Sequence, residues 1–271
     1  DWIKQNLAKE LYVSPQLGSY YYGFNLAEPP FKDNINLRKA IAYAIDKNII
    51  AEKVLRSGQI ATDYFVPDKT ANYDTISARD SKISVTKTVN LNDEQRLKLA
   101  HEYYKLAGYS SENPAKIKIN YNTQESHKNV AVAIAAMLKK SLNIQSELVN
   151  QEWKVFLRTR QERKETQLFR EGWIGDYNDP TTFLDLYISS NAQNNSAFVS
   201  NNYDNLMEQA SLELDLAKRA DLLLKAEKIL LDEVAIIPLY TYVSRHLVKP
   251  NIGGYESNIL DKTYDRYIYI R

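Results

Sequence analysis

The 271-residue sequence has no cysteine, which excludes disulfides, thiolate nucleophiles and zinc–thiolate centres together. Its three histidines, His101, His127 and His246, stand far apart without ligand spacing. A metal site would therefore have to rest on carboxylates, and neither a metal nor a cofactor is expected. Charge of one sign is also missing: 35 basic and 34 acidic residues leave a net charge of +1. No basic run is interleaved with aromatic residues, so nothing here attracts nucleic acid. The longest apolar run, Val130 to Leu138, falls well short of the roughly 20 residues that span a bilayer. Asp1-Trp2-Ile3-Lys4 lacks signal-peptide character. The sequence contains no dinucleotide fingerprint, phosphate-binding loop or Gly-x-Ser-x-Gly elbow, and no long-period repeat or heptad run.

What remains is a chain that is 44% hydrophobic, long enough to bury a substantial core and unusually rich in tyrosine, with 20 of them. Trp2 to Leu11 predicts a short helix and Ser19 to Asn25 a tyrosine-rich strand. Asn34 and Asn36 open a helix whose apolar face is Leu37, Ala40, Ile41, Ala44 and Ile45. Asp46 caps a second helix through Leu55, with Gly58 beyond its end. Ala61 to Ser84 lacks periodicity and is expected to be a long surface excursion.

Asn92 with Gln95 has the form of a capping box, starting a helix that runs to Gly108. Lys116 to Tyr121 alternates as a half-buried strand does. A helix from about His127 to Lys140, with Val130, Ile134, Met137 and Leu138 inward, and a strand from Ile144 to Val149 complete a βαβ unit. Such a crossover predicts parallel pairing and an α/β fold. Ser189 to Asn202 is a polar loop, Tyr203 to Leu216 and Ala217 to Leu231 are helices, and Val234 to Val243 is a strand in which Pro238 marks an edge or bulge. His246 to Lys249 and Arg266 to Ile270 are expected to be further short strands.

Chemistry concentrates in Arg170-Glu171-Gly172-Trp173-Ile174-Gly175-Asp176-Tyr177-Asn178-Asp179-Pro180-Thr181-Thr182-Phe183-Leu184. Gln167 to Phe169 reads as a strand, Gly172 and Gly175 as turn-permitting positions, and Asp179-Pro180 as a helix start. The result is strand, loop and helix, with a cation, aromatic rings and the carboxylates Asp176 and Asp179 where α/β sheets present ligand-binding groups. Asp179 reads as a cap or a ligand group, and Asp176 as a turn residue or a ligand group. An enzyme would have to use Asp176 and Asp179 as an acid–base pair, or His127 as a base, in a carboxylate-dependent hydrolase. None of the usual nucleophile motifs accompanies them.

This stretch resembles the Gly-Trp-x-x-Asp-Tyr-x-x-Pro motif of the extracytoplasmic oligopeptide-binding proteins, the solute receptors of peptide ABC importers. Tyr21 to Asn25, Pro30-Phe31, Arg38 to Asp46, Leu148 to Trp153, Ile237 to Tyr240 and Leu247 to Pro250 extend the likeness over nearly the whole chain. The resemblance implies a periplasmic-binding-protein-like type II lobe with a mixed sheet flanked by helices, together with terminal strands of a second lobe. On that basis residues 1–18 belong to the other lobe, 19–243 form the ligand-binding lobe and 244–271 return to the first. Full-length relatives are about twice as long, and the chain resembles their carboxyl-terminal half.

Carried over residue by residue, the resemblance assigns Asp176 to the α-ammonium of a peptide and Arg170, His127 and Arg160, as cations, to its carboxylate at different lengths. Trp153, Trp173, Tyr21, Tyr242, Gly172 and Ile174 would line the side-chain pockets, with core packing the alternative for Tyr21 and Tyr242. A lysine that some relatives direct at the carboxyl end is replaced by Leu55. The expected ligands are short peptides, and the expected partner is a membrane permease. The receptor would work as a monomer in the periplasm or another extracytoplasmic space. Murein peptide, dipeptide, haem or metal chelate are alternative cargoes on the same architecture.

Overall fold

The alternating stretches assemble into one mixed sheet. In the computed structural model, which describes residues 2–82 and 87–271, the chain runs α1 (Trp2–Asn6), β1 (Leu11–Phe24), α2 (Ile35–Ala44), α3 (Lys47–Ile49), β2 (Ile60–Ala61), α4 (Ile76–Lys82) and α5 (Asp93–Leu106). It continues through β3 (Lys116–Asn122), α6 (Glu125–Leu142), β4 (Gln145–Gln151), α7 (Trp153–Glu162), β5 (Leu168–Ile174) and α8 (Thr181–Leu184). Last come α9 (Asn201–Leu212), α10 (Leu216–Asp232), β6 (Ile236–Leu247) and the small pair β7 (Ile252–Gly253) and β8 (Tyr269–Ile270). The main sheet has the order β2-β6-β1-β5-β3-β4. β3 is parallel to β4 and β5, as the βαβ unit predicts, and the remaining pairs are antiparallel.

Short-range chemistry sets most helix starts. Asn34 Oδ1 accepts from Leu37 N, Asp46 from Ile49 N, and Asn92 and Gln95 close a reciprocal capping box, each satisfying amides that a first helical turn leaves unpaired. The helix begun at Asp46 widens into a π-type turn over Ile50–Leu55 and stops at Arg56, which adopts a left-handed φ of 58°.

Alternation in β1 divides the core in two. Tyr20 and Tyr22 join Ile41, Ile119, Val130 and Leu168 on one face of the sheet, while Tyr21 joins Phe65, Phe183 and Leu223 on the other. Much of the tyrosine excess therefore fills two buried layers.

Several expectations need correction. The first helix ends at Asn6, and the strand expected from Ser19 already begins at Leu11. Ala61 to Ser84, whose last two residues lie outside the described residues, is not a surface excursion: Tyr64, Phe65, Val66 and Arg79 are buried. A carboxylate from α10 explains this. Glu227 accepts from the amides of Phe65 and Val66 at 3.0 and 2.8 Å, from the Tyr73 hydroxyl at 2.9 Å and from Arg79 Nη1 at 2.9 Å. Pro238 does sit at a bulge, where the β1–β6 register shifts between Tyr20 and Tyr21.

β1 and β6 pair from Leu11 and Leu247 to Gly23 and Ile236, with register shifts between Pro15 and Ser19 and between Tyr20 and Tyr21. Among the described residues, the part from Leu11 to Pro15 pairs with β6 alone, a two-stranded ribbon leaving the sheet.

Candidate functional site

β5 is where the sheet opens. It pairs with β1 from Leu168 opposite Phe24 to Ile174 opposite Gly18, but with β3 only at Leu168 and Phe169. Asn25 N–H donates to the Gln167 carbonyl and Gly175 N–H to the Leu17 carbonyl, each at 2.8 Å. Hydrogen-bonded positions alternate in an antiparallel pair, so Phe169, Glu171 and Trp173 turn their amides toward β1, and Arg170, Gly172 and Ile174 turn theirs away. Among the described residues no strand meets that side beyond Phe169, which leaves Gly172 and Ile174 on an open edge. β4 and β5 lie on opposite sides of β3, so the crevice at their carboxyl ends is a topological switch point.

Gly172 and Gly175 are not turn residues, since neither has a positive φ. They allow close approach. A Cβ at Gly172 would lie 2.6 Å from the Tyr242 hydroxyl and 3.0 Å from Arg170 Nη2, and one at Gly175 would lie 2.7 Å from Leu17 Cδ2.

Arg170 Nη2 donates to the Tyr242 hydroxyl at 3.2 Å, Nη1 reaches Asn122 Oδ1 at 3.5 Å, and the guanidinium lies 5.0 Å from the Tyr20 ring centroid. Among the described residues no carboxylate forms an ion pair with it. His127, 7% exposed, approaches the Tyr20 hydroxyl through Nδ1 at 3.2 Å. Burial, and secondly the charge of Arg170, push its imidazole down to about 3. His127 is neutral here, which corrects the expectation of a cation.

The other face of the sheet carries a cleft of about 440 Å³ lined by Tyr21, Trp153, Arg160, Arg170, Gly172 and Trp173, among others. Trp153 is 46% exposed, whereas Tyr21, also in the lining, is a buried core residue. Arg160 is not a free cation either: its Nη1 is ion-paired with Glu171, a buried residue whose other oxygen accepts from Asn195 Nδ2 at 3.0 Å. Burial pushes the Glu171 carboxyl up against the opposing pull of Arg160 and Arg170. Nothing local in the sequence singled out Glu171; only the strand's alternation places it on the Arg160 side. The expected site residues thus fall on two faces, His127 and Tyr242 on one, Tyr21, Trp173 and Arg160 on the other, and the faces meet at the open edge.

Beyond β5 the loop is fastened at nearly every residue. Asp176 N–H donates to Thr182 Oγ1 at 3.2 Å, Asn178 Oδ1 accepts from Ala71 N–H at 2.9 Å, and Asp179 Oδ1 accepts from Thr181 N–H at 3.0 Å. Arg219 from α10 grips both oxygens of Asp179 at 2.8 Å. Burial opposes ionisation of Asp179, but Arg219 and Thr181 outweigh it and hold its carboxyl below the usual range. Asp179 therefore braces the start of α8 through Thr181, and the N-cap position itself is held by Pro180 in helical angles. Asp176 is exposed, and its carboxylate has no hydrogen bond or ion pair among the described residues.

The model of the bacterial extracellular solute-binding proteins, family 5 (middle), matches residues 1–195. The chain belongs to this family. It is 36% identical over 269 residues to the periplasmic murein peptide-binding protein MppA of Escherichia coli K12, covering 99% of this chain and 48% of that protein. Against the periplasmic oligopeptide-binding protein OppA of the same strain the identity is 35%, with the same coverage. The structure of Haemophilus influenzae OppA in complex with RPPGFSPFR aligns with a TM-score of 0.83 at 35% identity, covering 99% of this chain and 51% of that one. This family 5 chain thus has the periplasmic-binding-protein-like fold and spans about half the length of the curated relatives it matches.

Proposed function

We infer that the chain forms one wall of a receptor for short peptides with a free amino terminus, the substrate-binding component of an ABC importer. One observation carries this reading: Arg170, a cation that no carboxylate pairs with among the described residues, precedes the open edge at Gly172 and Ile174, and Asp176, whose carboxylate has no partner among them, follows it. An extended peptide has an ammonium, a carboxylate and an unpaired backbone between them, and adding it to a sheet edge satisfies all three. With its ammonium at Asp176 and its carboxylate toward Arg170 it would run antiparallel to β5. His127 would serve longer peptides as a neutral hydrogen-bonding imidazole.

The relatives' names, murein peptide-binding and oligopeptide-binding, support peptide cargo and a periplasmic setting. Residues 19–243 would be the ligand-binding lobe, with 1–18 and 244–271 leading along the β1–β6 ribbon to a second lobe that closes the cleft. The receptor would act as a monomer and hand its cargo to a membrane permease. An Asp176–Asp179 acid–base pair would need Asp179 free, and Asp179 is committed to Arg219.

Isothermal titration calorimetry of the two-lobed receptor with tri- to pentapeptides should show binding that N-acetylation removes. Arg170→Ala should weaken some lengths much more than others. Equal affinity for acetylated peptides, or cleavage of peptide by pure protein, would overturn the reading.

A further inference from the structure

The cation that a side-chain cleft would use to hold an acidic group has already been taken. Arg160 on α7 is ion-paired with Glu171 on β5, their side chains 15% and 7% exposed. Asn195, in the loop before α9, holds the second oxygen of Glu171. One carboxylate thus joins three segments of the cleft wall, and the rest of the lining includes Trp153, Leu157, Trp173, Leu186 and Ala192. Arg170 also borders this space, but its guanidinium is turned to Tyr242 and the Tyr20 ring.

We propose that Glu171 sets side-chain specificity: by cancelling the charge of Arg160 it makes the cleft accept neutral peptide side chains and reject acidic ones. The inference rests on the peptide-receptor reading above. An incoming aspartate or glutamate side chain has two choices. It can crowd in beside Glu171 and share Arg160, or displace Glu171 from it; either way two carboxylates compete for one cation in a partly desolvated cleft, the costly outcome for a buried charge. A neutral side chain leaves the pair intact and packs against Trp153 and Trp173, whose broad faces supply contact area.

The test scans glutamate and glutamine through each position of Ala-Ala-Ala and measures affinities for the full receptor by calorimetry. Wild type should disfavour glutamate relative to glutamine at one position by about 30-fold or more. Glu171→Gln, which can keep the contact to Asn195, should reverse the preference at that position alone, and Glu171→Ala should do the same. Arg160→Gln combined with Glu171→Gln should abolish it. A glutamate-to-glutamine ratio that is the same at every position in wild type and in folded Glu171 variants would overturn the proposal. Should neither Glu171 variant fold, Arg160→Gln alone decides: with that cation gone the cleft should still disfavour glutamate, and a ratio that turns to favour glutamate sinks the idea. Wild-type binding of Ala-Ala-Ala stands as a separate readout: its absence would bring down the peptide-receptor reading itself, and this inference with it.

Discussion

Arg170 Nη2 and the Tyr242 hydroxyl lie 3.2 Å apart directly over Gly172, where any Cβ would collide with both. The groups that must yield are the ends of side chains, so Gly172→Ala should fold. It should push Arg170 and Tyr242 off the open edge and lower peptide affinity by about tenfold or more, since misplacing a binding group by an ångström is costly. Calorimetry beside a melting curve checks this. Normal affinity would mean that the Arg170–Tyr242 contact is not part of the site.

Asp176 and Asp179 are three positions apart, and their amide variants should behave oppositely. Asp176→Asn should keep its melting temperature and lose about 30- to 4000-fold in peptide affinity, the cost of removing one partner of a charge pair that the bound peptide and the second lobe would bury. Asp179→Asn should lose about 1 to 3 kcal/mol of stability, because Arg219 and the first turn of α8 lose a charged acceptor. Both quantities measured on one preparation separate the roles, and intact affinity in Asp176→Asn removes it from the site.

His127 gives the protein a pH dependence of known sign. Its folded pKa of about 3 lies below the ordinary 6.5. The stabilisation is whole above 6.5 and drains away as pH falls toward 3, because in that window the unfolded chain binds a proton the native chain does not. The slope from this residue is up to about 1.4 kcal/mol per pH unit. Urea titrations between neutral pH and pH 4 should show a shallower fall for His127→Gln than for wild type. Parallel curves would mean His127 is not held neutral.

Arg79 and Glu227 are both fully buried. Arg79→Met leaves Glu227 inside the core with no cation and should cost about 3 to 5 kcal/mol. Lys82→Met, removing exposed pairs with Asp74 and Asp221, should cost about 0 to 1 kcal/mol. Equal losses in denaturant titrations would show that Thr62 to Lys82 is not pinned through Glu227.

The sequence by itself determined whatever is decided within a few residues. Asn34, Asp46 and the Asn92–Gln95 box start helices because their side chains satisfy amides two or three positions on, and alternation in β3 buries Ile117, Ile119 and Tyr121 together. The tyrosine-rich strand and the run from Arg170 to Leu184 were legible for the same reason, and with them the family. Only the tertiary structure decided which charges are free. Asp179 is held by a residue 40 positions away, Arg79 by one 148 away, and Arg160 by its neighbour across the α7–β5 packing. His127 loses its charge only because folding buries it near Arg170. Two aspartates three positions apart in one loop differ in role because α10 brings Arg219 to one and nothing to the other: a carboxylate's partner depends on which elements pack together, and that is not written in its neighbourhood of the chain.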